Sequence, residues 1–174
     1  MARKDTFLLR TTVDSSGTNY VSSDIDISAY VDPARGKVLV IDRGFITFDT
    51  DGNGPIVPAD VVSSGTGGVE MGTQACSETQ TGLVAASNNS LFMKNNLYVT
   101  VGTAGMITFL NEQSAMNPTT YTSGFIIPTS KIHCGAKTGG AWNSEIRMGF
   151  VFEVHTEKLS LTRIQELLVS LTAN

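Results

Sequence analysis

The sequence predicts an all-β sandwich or barrel formed by a single domain. Three observations support this prediction: 16% of the 174 residues are charged, 21 are threonines, and short apolar runs alternate with clusters of turn residues. Threonine fits the half-buried surface of a pleated sheet, whereas Gly, Ser and Asn favour turns. A helical bundle would need more Ala, Glu, Lys and Leu. A chain of this length buries about 70% of its unfolded surface, so it needs no disulfides or metals for stability.

The strongest strand prediction covers residues 37–49, which read KVLVIDRGFITFD. Both phases of the two-residue alternation carry apolar side chains, which predicts burial on both faces for part of the strand. Gly44 lies in the middle, where a bulge or bend would let a long strand curve. The other predicted strands are 6–13, 25–30, 82–86, 91–93, 97–101, 106–110, 124–127 and 146–157.

Clusters of turn residues separate these strands. They lie at 14–19, 51–54, 63–68, 88–90, 95–96 and 139–140. Many short strands with regular turns are typical of a sandwich or barrel. We therefore expect one domain over 1–174, with an N-terminal arm or strand over 1–23 and a helix over 160–174.

The C-terminal helix is predicted from a capping box and an apolar stripe. Thr162 is the predicted N-cap, and Gln165 follows three residues later. The stripe falls at positions i, i+3, i+4 and i+7 and consists of Ile164, Leu167, Leu168 and Leu171. A short helix is marginal alone and must dock on a surface. The stripe packs either on its own domain or on a neighbouring subunit, which makes these four residues a candidate interface.

The charge pattern gives no signal for nucleic-acid or membrane binding. The net charge is −4, and the only basic cluster, Arg3, Lys4 and Arg10, includes Asp5. A nucleic-acid-binding arm would show a block of like charges. No apolar run is long enough to cross a bilayer as a helix.

We expect no enzyme activity, because the motifs of nucleophilic, phosphate-binding and zinc-dependent catalysis are missing from the sequence. His133 and Cys134 are adjacent, so a strand would point them to opposite faces, and no third metal ligand lies at usable spacing. His155 and Glu157 would share one face of a strand. We favour a hydrogen-bonded pair at the surface over a general acid–base pair. Cys76 and Cys134 are expected to be small buried apolar residues rather than a disulfide.

One motif resembles half of a calcium-binding loop. Residues 49–54, DTDGNG, match D-x-[DN]-x-[DN]-G, and Asp60 lies at the twelfth position. Oxygens of Asp49, Asp51, Asn53 and Asp60 would bind a structural Ca²⁺. The alternative, which we favour, is a plain polar turn, since Asp-Gly and Asn-Gly are strong turn formers. Apart from this calcium ion, we expect no cofactor.

Residues 24–48, DIDISAYVDPARGKVLVIDRGFITF, and 78–101, ETQTGLVAASNNSLFMKNNLYVTV, carry a family resemblance. They resemble capsid proteins of small icosahedral viruses that have a single jelly-roll domain. The resemblance implies a jelly-roll β-sandwich or barrel of eight strands that self-assembles into an icosahedral virion shell. Assembly would take place in the cytoplasm or nucleus of a host cell. Many such proteins carry a long basic arm, which this sequence lacks, so we expect no direct genome binding.

Three functions fit the sequence to different degrees. The favoured one is a self-assembling capsid subunit whose partners are copies of itself. The alternative is a β-sandwich ligand-binding module, such as a lectin-like or cytokine-like trimer. In such a module Trp142 would stack on a sugar, but for this residue we favour a side chain that is half-buried at the base of a loop. An enzyme on a cupin-like barrel is least supported, because it would need a cluster of metal-binding histidines and the chain has two histidines.

Overall fold

The computed structural model describes residues 5–15, 17–113 and 116–172. In these residues the strands are β1 (Phe7–Ser15), β2 (Val21–Asp26), β3 (Lys37–Thr50), β4 (Gly67–Cys76), β5 (Leu91–Val101), β6 (Ile107–Gln113), β7 (Phe125–Ile127), β8 (Lys131–Thr138) and β9 (Ile146–Lys158). The helices are α1 (Pro58–Val61) and α2 (Leu161–Thr172). Residues 1–4 of the predicted arm and 173–174 of the predicted helix lie outside the described residues.

The strands form two antiparallel sheets. The four-stranded sheet has the order β1-β9-β3-β7, and the five-stranded sheet has the order β2-β8-β4-β5-β6. The pairs β1–β9, β2–β8, β3–β7 and β4–β5 are nested around the centre of the chain. This nesting is that of a jelly roll, so the predicted fold class is confirmed. β6 is a ninth strand, added at one edge of the eight that a jelly roll requires.

The core lies between the two sheets and is centred on aromatic rings. Phe92 stacks on Phe125 at a centroid distance of 5.0 Å and meets the edge of Phe152 at 5.8 Å. Phe92 and Phe152 are fully buried. Complete burial of one such side chain stabilises the fold by about 1.5–3 kcal/mol. These contacts connect β5 of one sheet to β7 and β9 of the other.

Burial of β3 on both faces is confirmed for its first half. Leu39 and Ile41 belong to the core, while Val38 and Val40 are buried on the opposite face. The predicted position of the bulge is wrong, because the register shifts between Ile41 and Arg43 and not at Gly44. Gly44 serves close packing instead, since a Cβ there would lie 2.5 Å from the sulfur of Met93.

Several strand boundaries differ from the predictions. Residues 91–101 form one continuous strand, so the turn predicted at 95–96 is wrong. The predicted strand at 82–86 is a loop, in which Val84 donates to Gln74 Oε1 at 2.8 Å and Gly82 accepts from Gln74 Nε2 at 2.8 Å. The primary amide of Gln74 thereby replaces the strand partner that this loop would otherwise need. β4 and β8 were not predicted.

α2 exists as predicted, over Leu161–Thr172, but its N-cap differs from the predicted one. Ser160, and not Thr162, accepts the capping bond, from the Arg163 N–H at 3.3 Å. Ile164 and Leu171 are buried although neither belongs to the core between the sheets. Along the described part of the chain, no helix has the length and apolar character needed to span a membrane.

Candidate functional site

The predicted calcium loop holds an arginine where a cation would bind. Arg147 donates to the Asp51 carbonyl at 2.9 Å and to Asn53 Oδ1 at 3.0 Å. The same guanidinium donates to both carboxylate oxygens of Asp14, at 2.8 and 3.2 Å. The hydrogen bonds to Asp14 raise the pKa of Arg147 further above its ordinary value. The guanidinium therefore supplies the positive charge of this loop.

The acidic residues of the loop do not converge. Asp60 Oδ2 accepts from the Val57 N–H at 2.8 Å at the start of α1. In the ranges that the structure describes, no three or more His, Cys, Asp and Glu side chains are grouped to hold a metal. Asn53 adopts a left-handed conformation with φ 58°. The segment thus has the features of the polar turn. The calcium site at Asp49, Asp51, Asn53 and Asp60 is supported by the sequence motif alone.

His155 bridges two carboxylates inside the fold. Its Nδ1 lies 2.6 Å from Asp42 Oδ2 and its Nε2 lies 3.1 Å from Glu157 Oε1. Both ring nitrogens of His155 therefore have a carboxylate partner within hydrogen-bond distance. The predicted pairing with Glu157 is confirmed, but its surface position is wrong for His155, which is 3% exposed. The bridge ties β3 to β9.

His133 belongs to a polar chain on the outer face of the five-stranded sheet. Its Nδ1 lies 2.5 Å from Asp24 Oδ1, and its Nε2 lies 3.0 Å from the Tyr20 hydroxyl. Gln74 donates to the same hydroxyl at 3.0 Å. Burial opposes ionisation of Asp24, but hydrogen bonds from His133 and Lys131 outweigh it and hold the pKa of Asp24 below its usual range. Burial raises the pKa of Tyr20, so its hydroxyl is not an activated nucleophile.

The cysteines and the tryptophan are structural residues. Cys76 and Cys134 are free and buried, as predicted. Burial raises the pKa of Cys76 to about 12 and the pKa of Cys134 well above its ordinary value, so neither provides a reactive thiolate. Trp142 is 4% exposed and belongs to the core. The favoured prediction of a packed Trp142 is confirmed, although the side chain is buried more deeply than expected, and the alternative of a stacking face for a sugar is wrong.

One long side of the sandwich leaves apolar surface uncovered. We call this the open side, and it lies between β3 of one sheet and β6 of the other. A groove of about 460 Å³ runs there. Its apolar lining consists of Ile46, Phe48, Pro55, Ile56, Leu97 and Phe109. The outer edge of β6 has no strand partner in the described chain, because β6 ends the order of its sheet.

The open side continues into exposed side chains of β6. Leu110 is 62% exposed and Phe109 is 46% exposed, and Met106 just before the strand is also exposed. Consecutive residues of a strand point to opposite faces, so Phe109 faces the groove beside the core residue Val99 and Leu110 lies on the outer face beside Tyr98. An edge that is apolar on both faces marks an interaction surface. The strand over 106–110 was predicted, but its place at an edge depends on sheet order, which the sequence does not reveal.

A second exposed apolar surface lies on α2. Of the predicted stripe, Ile164 and Leu171 are buried by the domain itself, Leu167 is half-buried and Leu168 is exposed. Leu161 and Val169 are exposed as well. Leu161 and Leu168 are seven residues apart and share one side of the helix with Val169. This outer stripe was not predicted, because the inward direction of the helix is set by tertiary packing.

Comparisons with known proteins identify no family. No family model and no curated protein matches the chain. Among solved structures, the chain is similar to dimeric latent PorU from Porphyromonas gingivalis, with 10% identity and a TM-score of 0.38 over 91% of this chain. It spans 14% of that protein. It is also similar to an unassembled VP1 pentamer of Washington University polyomavirus, with 8% identity and a TM-score of 0.41 over 88% of this chain and 93% of that one. At these scores neither similarity supports an argument about function.

Proposed function

We propose that this protein is a non-catalytic structural subunit that assembles with copies of itself into a closed shell, the capsid of a virion. The observation that carries the proposal is the presence of two separate exposed apolar surfaces on one jelly-roll domain. One is the open side with β6, and the other is the outer stripe of α2.

Two surfaces matter because of symmetry. A single self-complementary interface closes a dimer and stops there. A shell requires that each subunit contact neighbours through at least two different surfaces, so that assembly continues beyond the first pair. A lone apolar patch would support a dimer, whereas this domain carries two.

The polar side chains that could perform chemistry are engaged in holding the fold. His155 joins β3 to β9, and His133 joins β8 to Asp24 and Tyr20. Arg147 fixes the 51–53 turn. These contacts support a structural role.

The test is the mass of the purified protein, measured by size exclusion with light scattering, followed by negative-stain microscopy, with and without calcium. We expect uniform closed particles whose size does not change on chelation. Monomers at every protein and salt concentration would contradict the proposal. Particles that form with calcium and are lost on chelation would support the proposed shell and would also support a calcium site at residues 49–60.

A binding module is the second candidate, and one groove favours it. On the outer face of the five-stranded sheet, a trough of about 250 Å³ is lined by Glu70, Tyr98 and Lys137. A ring beside two charged side chains could hold a polar ligand such as a sugar. Glycan-array binding that is lost in Tyr98→Ala, by a protein that stays monomeric, would favour this candidate.

A further inference from the structure

β6 has the features of a strand that pairs with another chain. An edge strand presents a row of free backbone N–H and C=O groups that can template a further strand. β6 is seven residues long, contains no proline and shows Phe109 and Leu110 to solvent. Its one acidic side chain, Glu112, accepts a hydrogen bond from Asn96 at 3.2 Å.

The other three edge strands are protected in ways that β6 is not. Natural sheets guard their edges with charges or with very short strands. β1 carries Arg10 and Asp14, β2 carries Asp24 and Asp26, and β7 has three residues, whereas β6 carries the single charge of Glu112. The protection of three edges and the exposure of the fourth indicate that β6 is kept available for pairing.

We propose that β6 pairs antiparallel with β6 of a second copy of this chain, about a two-fold axis at Leu110. The two five-stranded sheets then form one continuous sheet of ten strands. The inference deepens the proposed self-assembly and rests on it, because it assigns one of the two surfaces that a shell requires.

The charge pattern of the strand favours this partner and this register. With the axis at Leu110, Thr108 of each copy lies opposite Glu112 of the other, and Phe109 lies opposite Asn111. A hydroxyl can donate to the facing carboxylate, and no like charges meet. An axis at Glu112 would instead place two carboxylates opposite each other, which destabilises a pair. Opposed residues also keep the same face, so Phe109 stays on the groove side in both copies.

The exposed area suits a contact that works within a larger assembly. Together, the uncovered parts of Met106, Phe109 and Leu110 amount to on the order of 300 Å². A standard stable interface buries about 800 Å² per partner. Pairing of β6 therefore gives a modest dimer by itself and is reinforced when the second surface is also occupied.

The test is a disulfide cross-link between two copies, and it relies on the burial of the two native cysteines. Because Cys76 and Cys134 are buried, a cysteine introduced at Leu110 is the reactive thiol of the variant. Directly opposed residues of an antiparallel pair have Cα atoms about 4.5–5.5 Å apart, within the range that a disulfide bridges. The control is Leu8→Cys, which places a thiol on β1 at a residue that is 51% exposed.

On mild oxidation we expect Leu110→Cys to give mostly covalent dimer and Leu8→Cys to give several-fold less. Little dimer in Leu110→Cys, or equal dimer in both variants, would overturn the pairing. A second variant, Leu110→Lys, places two ammonium groups at the axis. It should weaken self-association at least tenfold while its melting temperature stays that of the monomeric domain, and unchanged association would also overturn the pairing.

The same samples separate this inference from the proposed function. Closed particles without the Leu110→Cys cross-link would refute β6 pairing and leave the shell standing. A cross-linked dimer that never grows into particles would support β6 pairing and refute the shell.

Discussion

The two long sides of the sandwich are closed in different ways. On the side formed by β1 and β2, the Thr11 and Ser23 hydroxyls meet across the sheets at 2.9 Å, and the edges carry Arg10 and Asp24. On the open side, the facing strands β3 and β6 leave a groove between apolar side chains. The side formed by β1 and β2 is closed by contacts within one chain. Hydrogen bonds between side chains therefore stabilise the side formed by β1 and β2, whereas exposed apolar side chains lie on the open side. We expect substitutions on the two sides to change the free energy of unfolding by different amounts.

The largest effect is expected on the closed side, for Gly135→Ala. A Cβ at Gly135 would lie within 3 Å of three atoms of the rigid Tyr20 ring. The ring must move, which breaks its hydrogen bonds to His133 and Gln74. We expect a loss of about 2–4 kcal/mol in the free energy of unfolding, measured by denaturant titration.

The control for that change is Gly72→Ala on the neighbouring strand. There a new Cβ would meet the tip of Leu83, at 2.6 Å, and a flexible side chain in a loop can move aside. We expect a change within about 1 kcal/mol. Equal losses in the two variants would show that the Tyr20 contacts do not stabilise the closed side.

An intermediate effect is expected from Arg147→Ala. This removes four hydrogen bonds, to Asp14, Asp51 and Asn53, and should lower the free energy of unfolding, measured by denaturant titration, clearly more than its matched control does. The matched control is Arg43→Ala near the open side, where an exposed pair with Glu153 at 3.7 Å should contribute at most about 0.5 kcal/mol. Similar losses from both arginines would contradict the contrast between the sides.

The smallest effect concerns pH. The pKa of Asp24 is lowered in the folded protein, so its ion contributes stability above the unfolded pKa of about 3.9, and that contribution is lost as the pH falls through the lower folded value. In Asp24→Asn, the free energy of unfolding should fall less steeply over this acidic range. Thermal melts from pH 5 downward would measure this, and an unchanged slope would contradict it.

The sequence predicts the fold class here because β3 is a long apolar run and β9 alternates apolar with polar residues, and these two strands give the strongest local signals. It does not reveal β4 and β8, whose Gly72 and Gly135 weaken strand propensity. Those glycines make sense only with the fold in view, since they leave room for Leu83 and Tyr20. Residues 82–86 show the opposite case. Their sequence predicts a strand, but they form a loop whose backbone is hydrogen-bonded by the Gln74 side chain.

The candidate site was predictable to a smaller extent. The stripe of α2 follows from helical periodicity, but the face that stays exposed depends on which side docks, and the outward residues Leu161 and Val169 fall outside the stripe. The loop at 49–54 matches a calcium-binding motif. Arg147, which binds this loop in the structure, is 96 positions beyond Asp51, and no local sequence pattern predicts that contact. The availability of β6 follows only from the order of strands in the sheet.

The nested strand order has a consequence for how the chain is made. β1 pairs with β9, so that Phe7 lies opposite Val154. During synthesis β1 emerges long before β9, so it stays unpaired until residues 146–158 have been made. Such non-local pairing slows folding, and the waiting strand remains open to aggregation in the meantime. We therefore expect truncation before β9 to leave no stable four-stranded sheet, because both β1 and β3 pair with β9.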